Sequence, residues 1–321
     1  MQTDYRRHLL VTGSMRSGTT YVGKVLAHCP SLFYLHEPFN AARGVEGVEH
    51  WLPYSETKSK IGTYGNLVDR LMALKVEYKN PNRDARWRQW AREIIGSRSA
   101  WRVNLYKWFL HRTRRMLVKD PTAVFLSDYM IRNYDMNVVL MVRHPAAFYY
   151  SNKRLGWDFD LENITSQSSL VTRHLADEKA ELLNADDLSY PQRIALLWRV
   201  IYRVANNFME DTKYADRWII SRHEDICREP KRQFSKIAQA FGYEMTDRMN
   251  QYIDKTTSGN NPVSADANRA HQVRRDSSQL STYWKTEVSQ EEVEQIRPLT
   301  EPLSAQYYDD ESWKIKAAPY E

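Results

Sequence analysis

The chain has 321 residues, of which 42% are hydrophobic and 27% are charged, as in a globular protein that can bury a sizeable core. Its net charge of +6 favours an anionic partner such as a nucleotide, an acidic glycan or a nucleic acid. Two lone cysteines, Cys29 and Cys227, form neither a disulfide framework nor a zinc spacing, and we expect both to be reduced. The first ten residues lack an apolar run of signal-peptide length, and no later stretch approaches 18 apolar residues. A cytoplasmic location is therefore expected. The alternative that stays open is a membrane anchor that has been removed from the chain.

The first elements predicted along the chain are a strand, a helix and a second strand. His8–Thr12 is a short β-rich run, Thr19–His28 has helical character, and Leu32–Pro38 is a strand that ends at its proline. This order within roughly 30 residues is a βαβ unit. Such a unit implies a parallel sheet.

Residues 40–110 differ from this pattern. They are loop-rich at first, and then become helical and dense in arginine and tryptophan. We interpret them as an insertion over the sheet.

The α/β pattern resumes after the insertion. Val138–Val142 is continuously apolar, as expected for a strand that is buried on both faces. A polar stretch at about 259–283 is expected to be a surface loop. Strands are also predicted within 115–121 and 216–225, and helices at Ala123–Tyr134, from Pro145 onward, at Pro191–Lys213, Pro230–Phe241 and Gln290–Leu303. The chain contains no repeat and no clear linker, so residues 1–321 are predicted to form a single P-loop-like α/β domain with a central parallel sheet, flanking helices and a helical insertion.

The stretch GSMRSGTT, residues 13–20, is typical of a phosphate-binding loop between a strand and a helix. Gly13 and Gly18 fit the Walker pattern, but Thr19 stands where that pattern requires lysine. Backbone N–H groups at the start of a helix attract phosphate, whereas a turn that only caps the helix is the structural alternative. The candidate ligands are Arg16, Ser17, Gly18, Thr19 and Thr20.

A second candidate phosphate site lies in VRHPAAFYYS. Arg143 follows the apolar strand, and Ser151 lies eight residues later in the next helix. Both positions fall at the carboxyl edge of the sheet, where such folds bind ligands. A guanidinium and a hydroxyl can hold a phosphate, although Arg143 could instead pair with a carboxylate. Two separate sites indicate a nucleotide with phosphates at two positions.

These two motifs resemble the 5′-phosphosulfate loop and the 3′-phosphate motif of the sulfotransferases. The order of elements agrees with that family over roughly residues 8–300. The resemblance implies 3′-phosphoadenosine 5′-phosphosulfate (PAPS) as sulfuryl donor, 3′-phosphoadenosine 5′-phosphate as product, and no metal. The acceptor would carry a hydroxyl or an amine. Arg16 matches carbohydrate and protein-tyrosine sulfotransferases, so a carbohydrate is one candidate, with residues 40–110 as an acceptor-side insertion or lid.

In-line transfer needs a base for the acceptor proton and cations for the leaving oxygen. Glu37 in FYLHEPFN matches the EP pattern of carbohydrate sulfotransferases and is the predicted base. His36 is the alternative base. If Glu37 is not catalytic, its alternative role is structural, as a cap of the next turn. Because successive strand residues point to opposite faces, only one of the two is expected to face the site. Lys119 resembles a lysine that contacts the sulfuryl group, and a structural salt bridge is its alternative. Arg16 is the second predicted catalytic cation.

The remaining candidates come from later family segments. His223 stands where the family usually has a tyrosine that touches adenine. Arg274 and Arg275 resemble basic residues that reach the 3′-phosphate, with a solvated charge pair as the alternative. Asp120 falls near the position of the histidine base in small-molecule sulfotransferases, which leaves it a candidate for orienting other groups.

Two other functions are alternatives. A kinase-like P-loop enzyme would need magnesium-holding acids and a lysine in the loop, and Thr19 argues against it. The segment Arg83–Arg115 could bind nucleic acid or another polyanion through basic and aromatic side chains, but we expect no nucleic-acid partner. Neither the acceptor nor the oligomeric state can be deduced from the sequence.

Overall fold

The computed structural model describes residues 7–56, 63–79, 106, 108, 114–257 and 281–315. At its centre is a five-stranded sheet in which every neighbouring pair of strands is parallel. The strand order is β2-β3-β1-β4-β5, which confirms the predicted α/β class and parallel sheet. The strands are β1 (Leu9–Gly13), β2 (Leu32–His36), β3 (Arg115–Lys119), β4 (Asn137–Val142) and β5 (Trp218–Arg222).

Helices cover both faces of this sheet. They are α1 (Thr19–Leu26), α2 (Thr63–Met72), α3 (Ser127–Tyr134), α4 (Pro145–Lys153), α5 (Glu162–Thr165), α6 (Ser168–His174), α7 (Lys179–Leu183), α8 (Tyr190–Met209), α9 (His223–Arg228), α10 (Pro230–Ala240), α11 (Asp247–Thr257), α12 (Trp284–Glu287), α13 (Gln290–Thr300) and α14 (Asp310–Trp313). Short 3₁₀ turns lie at Pro121–Leu126, Ala185–Asp187, Thr212–Arg217 and Ser304–Gln306.

The strands β1 and β4 are buried along their whole length, because both of their faces are covered. On one face, Leu140 and Val142 of β4 belong to a core that also contains the buried side chains of α4 and α8. On the other face, Val139 and Met141 join the core formed with α1 and α10. This alternation explains why β4 reads as an uninterrupted apolar run.

Several predicted boundaries shift in the structure. The helix predicted at Ala123–Tyr134 is a 3₁₀ turn, Pro121–Leu126, followed by α3. The loop-rich beginning of the insertion already contains the start of α2. Most of the arginine- and tryptophan-rich part, and residues 259–280 of the predicted surface loop, lie outside the described residues.

In the parts of the chain that the structure describes, no helix combines the length and apolar character needed to cross a membrane.

Candidate active site

The loop of residues 14–18 leaves the carboxyl end of β1, the middle strand of the sheet. From the last residue of β1 to the end of the loop, the backbone takes positive φ angles at Gly13 (142°), Arg16 (66°) and Gly18 (93°). A Cβ atom at Gly13 would lie 2.2 Å from the backbone oxygen of Met141 on β4. Glycine is therefore required where the loop begins.

Hydroxyl groups hold the loop in place from within. Ser17 is fully buried, and its Oγ donates to the backbone oxygen of Ser14 over 2.7 Å. The hydroxyl of Tyr202, on α8, lies 2.9 Å from Ser14 Oγ. Thr19 is buried and Thr20 half-buried in the first turn of α1, whose N-cap residue, Gly18, has no side chain to cap that turn. The loop thus has the features of an anion-binding helix start.

Arg16, Arg143 and Ser151 come together beside this loop. Arg16 Nε lies 3.2 Å from Ser151 Oγ on α4, and Arg143 Nη1 donates to the backbone oxygen of Arg16 over 2.8 Å. Arg143 Nε is buried, and among the described residues it has no hydrogen-bond acceptor. Trp157, which the sequence did not single out, places its ring centre 5.6 Å from the Arg16 guanidinium. Two guanidinium groups and a hydroxyl therefore lie on one side of the loop.

A carboxylate that interacts with Arg143, that of Glu224, has other hydrogen-bond partners. Glu224 accepts hydrogen bonds from the His144 N–H (3.1 Å) and the Tyr308 hydroxyl (2.9 Å). Burial raises the pKa of Glu224, although the charge of Arg143 opposes this. Glu224 thus connects the start of α4 to the C-terminal region through hydrogen bonds.

Arg274 and Arg275 lie outside the described residues. The chain becomes described again at residue 281, and Trp284 then stacks on His144 with ring centres 4.6 Å apart. The late segment therefore returns next to the Arg143 motif.

Glu37 and Lys119 form a second group on the other side of β1. The Lys119 Nζ forms a hydrogen-bonded ion pair with Glu37 Oε1, and the Glu37 N–H donates to the Lys119 backbone oxygen over 2.7 Å. Asn40 Nδ2 donates to Glu37 Oε2 over 2.9 Å. The strand alternation expected for His36 and Glu37 does not apply, because β2 ends at His36 and Glu37 has a φ of 47°. His36 Nε2 consequently lies 3.9 Å from Glu37 Oε1.

Both members of this ion pair are far less exposed to solvent than ordinary surface charges. The Lys119 side chain is fully buried and that of Glu37 is 15% exposed. Burial opposes ionisation of Glu37, but Lys119, His36 and the bonds from Lys119 and Asn40 hold its pKa below the ordinary value. Burial also lowers the pKa of Lys119, against the attraction of Glu37. The electrostatics favour a charged carboxylate at this position.

Asp120 supports the turn that follows Glu37. Its carboxylate accepts hydrogen bonds from the N–H groups of Phe39 (2.6 Å) and Thr122 (3.0 Å). Burial, and then repulsion from Glu37, raise the pKa of Asp120 to about 7. The side chain therefore joins the end of β2 to the 3₁₀ turn after β3.

His223 lies against the phosphate-binding loop. It is the first residue of α9, directly after β5. A Cβ atom at Gly18 would lie 2.9 Å from His223 Cδ2, so the imidazole packs directly on the loop glycine.

The sheet order arranges these groups around the loop. β3, with Lys119 at its end, and β2, followed by Glu37, lie on one side of β1, whereas β4, followed by Arg143, lies on the other. Cationic anion-binding groups and a carboxylate thus meet at one edge of the sheet. In the described ranges, no group of three or more His, Cys, Asp or Glu side chains is placed to hold a metal ion.

Comparisons with known proteins give related folds and a family. The sulfotransferase domain from the curacin biosynthetic pathway is 18% identical, with 93% of this chain and 98% of that domain covered and a TM-score of 0.51. The sulfotransferase domain from the Synechococcus PCC 7002 olefin synthase is also 18% identical, over 96% of this chain and 98% of that domain, with a TM-score of 0.45. A search of curated proteins finds no match. A model of the Sulfotransferase family matches residues 9–247, a range that contains both candidate groups of residues. The chain belongs to the Sulfotransferase family.

Proposed function

We propose that this protein transfers a sulfuryl group from PAPS to a hydroxyl or amine group of its acceptor. Membership of the Sulfotransferase family supports sulfuryl transfer. The single observation that carries the choice of donor is the convergence of Arg16, Arg143 and Ser151 beside a helix-start loop. Guanidinium groups and a hydroxyl that meet beside a helix start can bind phosphate oxygens, and a nucleotide with phosphates at two positions supplies such oxygens.

The residues present fit such a donor. The buried Arg143 Nε has no acceptor among the described residues, as expected of a donor group that awaits a ligand oxygen. We assign Arg143 and Ser151 to the 3′-phosphate, and Arg16 with Ser17, Gly18, Thr19 and Thr20 to the phosphosulfate. His223 packs on the loop glycine and is assigned to the adenine. Arg274 and Arg275 remain proposed ligands of the 3′-phosphate.

When bound, the donor supplies the sulfuryl group and a phosphate that can leave. Glu37 accepts the proton of the acceptor hydroxyl as the acceptor oxygen bonds to sulfur and the bond from sulfur to the bridging oxygen breaks. Arg16 and Lys119 stabilise the negative charge that develops on the bridging oxygen. Because the pKa of Glu37 lies below its ordinary value, the base is ionised at neutral pH. His36, exposed beside Glu37, is the alternative base.

The proposed acceptor class is a carbohydrate. Its support is the arginine at position 16 and the EP pattern at Glu37, both of which match carbohydrate sulfotransferases. Half-exposed Trp157 beside Arg16 adds an apolar ring face of the kind on which sugars stack.

The first test is a transfer assay with PAPS and a panel of glycans, phenols, lipids, alcohols and amines. Mass spectrometry should detect the gain of one sulfuryl group on an acceptor. Transfer should persist in EDTA, and strict dependence on magnesium would favour a kinase-like enzyme. Thermal shifts with adenosine 3′,5′-bisphosphate, ATP-Mg and single-stranded RNA separate the three functions, since only the bisphosphate should stabilise a sulfotransferase strongly.

The second test concerns the base. Glu37→Gln should lower the single-turnover rate at saturating donor by about two to four orders of magnitude, because the amide cannot accept the proton. His36→Ala should have a much smaller effect. The reverse order of effects would assign the base to His36.

A further inference from the structure

Asn40 lies in a tight turn directly after the proposed base. The turn is closed by hydrogen bonds to the Asn40 backbone oxygen from the N–H groups of Arg43 (3.2 Å) and Gly44 (2.7 Å). A Cβ atom at Gly44 would lie 2.3 Å from the backbone oxygen of Pro38. The backbone of Asn40 therefore has little room to move.

The side-chain amide of Asn40 is also held in one orientation. Its Oδ1 accepts hydrogen bonds from the N–H groups of Ala42 (3.0 Å) and Arg43 (3.1 Å). Rotating the amide by half a turn would place Nδ2 against these two N–H donors, so the orientation follows from chemistry. Nδ2 must then point to the other side, where it lies 2.9 Å from Glu37 Oε2.

The carboxylate of Glu37 is thus held at both oxygens. Lys119 binds Oε1 from β3 and Asn40 binds Oε2 from the turn. Each oxygen keeps a second lone pair that can accept a proton. A carboxylate held by only one of these donors could rotate about its terminal bond.

We propose that Asn40 is a positioning residue of the active site, whose amide holds the Glu37 carboxylate against Lys119 and so presents an ionised, oriented base to the acceptor. This role rests on the proposed function of Glu37. Its structural part, the hold on the carboxylate, can be measured without any turnover.

Other charged groups around the Glu37–Lys119 pair also affect its ionisation. His36 on β2 and Lys119 on β3 lower the pKa of Glu37, and burial raises it. Asp120, after β3, interacts with Glu37 as a like charge. On α1, burial and the charge of Lys119 lower the pKa of Lys24. A variant at Asn40 leaves all four of these groups in place.

The decisive variant is Asn40→Asp. One aspartate oxygen can still accept from Ala42 and Arg43, so the turn is kept, but the other oxygen meets Glu37 Oε2 without a proton to donate. Two carboxylates at hydrogen-bond distance share a proton, which raises the pKa of the pair. We expect the Glu37 carboxyl signal, assigned in a ¹³C NMR titration by comparison with Glu37→Gln, to titrate at least about one pH unit higher.

The acid limb of the single-turnover rate should move upward by the same amount. Affinity for adenosine 3′,5′-bisphosphate should stay within about twofold of the parent's, because no donor-binding residue changes. The matched control is Asn184→Asp at the end of α7, where the amide donates to the Ala180 backbone oxygen. It should leave both titration and rate profile unchanged.

Each outcome separates this inference from the proposed function. A Glu37 titration in Asn40→Asp that coincides with the parent's overturns the role of Asn40, even if Glu37→Gln is inactive. A shifted titration with an unshifted rate profile overturns the assignment of Glu37 as base. Damage by Asn40→Ala, combined with a parent-like Asn40→Asp enzyme, would show that Asn40 only closes the turn.

Discussion

Replacing Lys119 with methionine measures how strongly Glu37 depends on its buried counter-ion. The stem of Lys119 packs against α1, where a Cβ atom at Gly23 would lie 2.7 Å from Lys119 Cγ. Methionine retains most of that stem and removes the charge. Glu37 then remains 15% exposed beside buried Asp120. Among the described residues, Asn40 is the side chain that still donates a hydrogen bond to its carboxylate.

The expected loss of unfolding free energy is about 3 kcal/mol at pH 8. Removing one partner of a buried ion pair typically costs about 3–5 kcal/mol, and the low end applies because Glu37 keeps some exposure and one hydrogen bond. In the parent, the folded pKa of Glu37 lies below its unfolded value. Its ionisation therefore stabilises the fold above the unfolded pKa, and this contribution is lost as the pH falls through the folded pKa. Without Lys119, burial dominates and raises that pKa, so the penalty should shrink towards pH 5 as Glu37 takes up a proton.

Urea unfolding followed by tryptophan fluorescence at pH 5 and pH 8 tests this reasoning. Lys24→Met on α1 is the control, since this half-buried lysine should cost less than about 1 kcal/mol at either pH. Adding Glu37→Gln to Lys119→Met should recover most of the loss, because no charge is then left without its partner. An equal loss at both pH values without recovery in the double variant would refute the argument.

Three further predictions concern the loop and its surroundings. Arg16→Ala and Arg143→Ala should each weaken binding of adenosine 3′,5′-bisphosphate by about 1.5–3 kcal/mol, the scale of a charged hydrogen bond, and calorimetric affinities equal to the parent's would contradict the two-phosphate assignment. Gly13→Ala should fail to give folded protein, or lower the urea midpoint strongly, because its Cβ would lie 2.2 Å from the Met141 oxygen; a parent-like midpoint would show that the loop can move. Since burial raises the pKa of Asp120 from 3.8 to about 7, the folded state retains this proton and loses stability as the pH rises between these values. Asp120→Asn should remove that slope, seen as a difference from the parent in unfolding free energy at pH 4 and pH 7, and parallel pH profiles would contradict it.

The sheet could be predicted because its strands are short apolar runs with glycine, proline or charge at their ends. Val138–Val142 was predicted as a strand and β4 begins one residue earlier. The helices α5, α6 and α7 were not predicted, because elements of four to seven residues carry too little periodicity for a helical pattern.

In the candidate site, too, some residues could be predicted from the sequence and others could not. Residues at strand ends, such as Glu37, Lys119 and Arg143, could be selected because parallel strands bring their carboxyl ends to one edge. Asn40 and Tyr202 could not be selected. Their roles depend on a turn conformation and on a contact 188 residues apart in sequence, and neither leaves a pattern of residue types. The positive φ of Glu37 could not be predicted from the sequence either.

The backbone of Glu37 has a consequence for how this protein could evolve or be engineered. A residue other than glycine in the left-handed region costs about 1–3 kcal/mol, and Glu37 occupies that region with a φ of 47°. Glycine at position 37 would relieve this strain while removing the carboxylate. The same change would leave the fully buried Lys119 without its counter-ion, and removing one partner of a buried ion pair typically costs about 3–5 kcal/mol, more than the strain that is relieved. Selection for thermal tolerance would therefore retain the glutamate in spite of its strained backbone, and with it the carboxylate that we assign to catalysis.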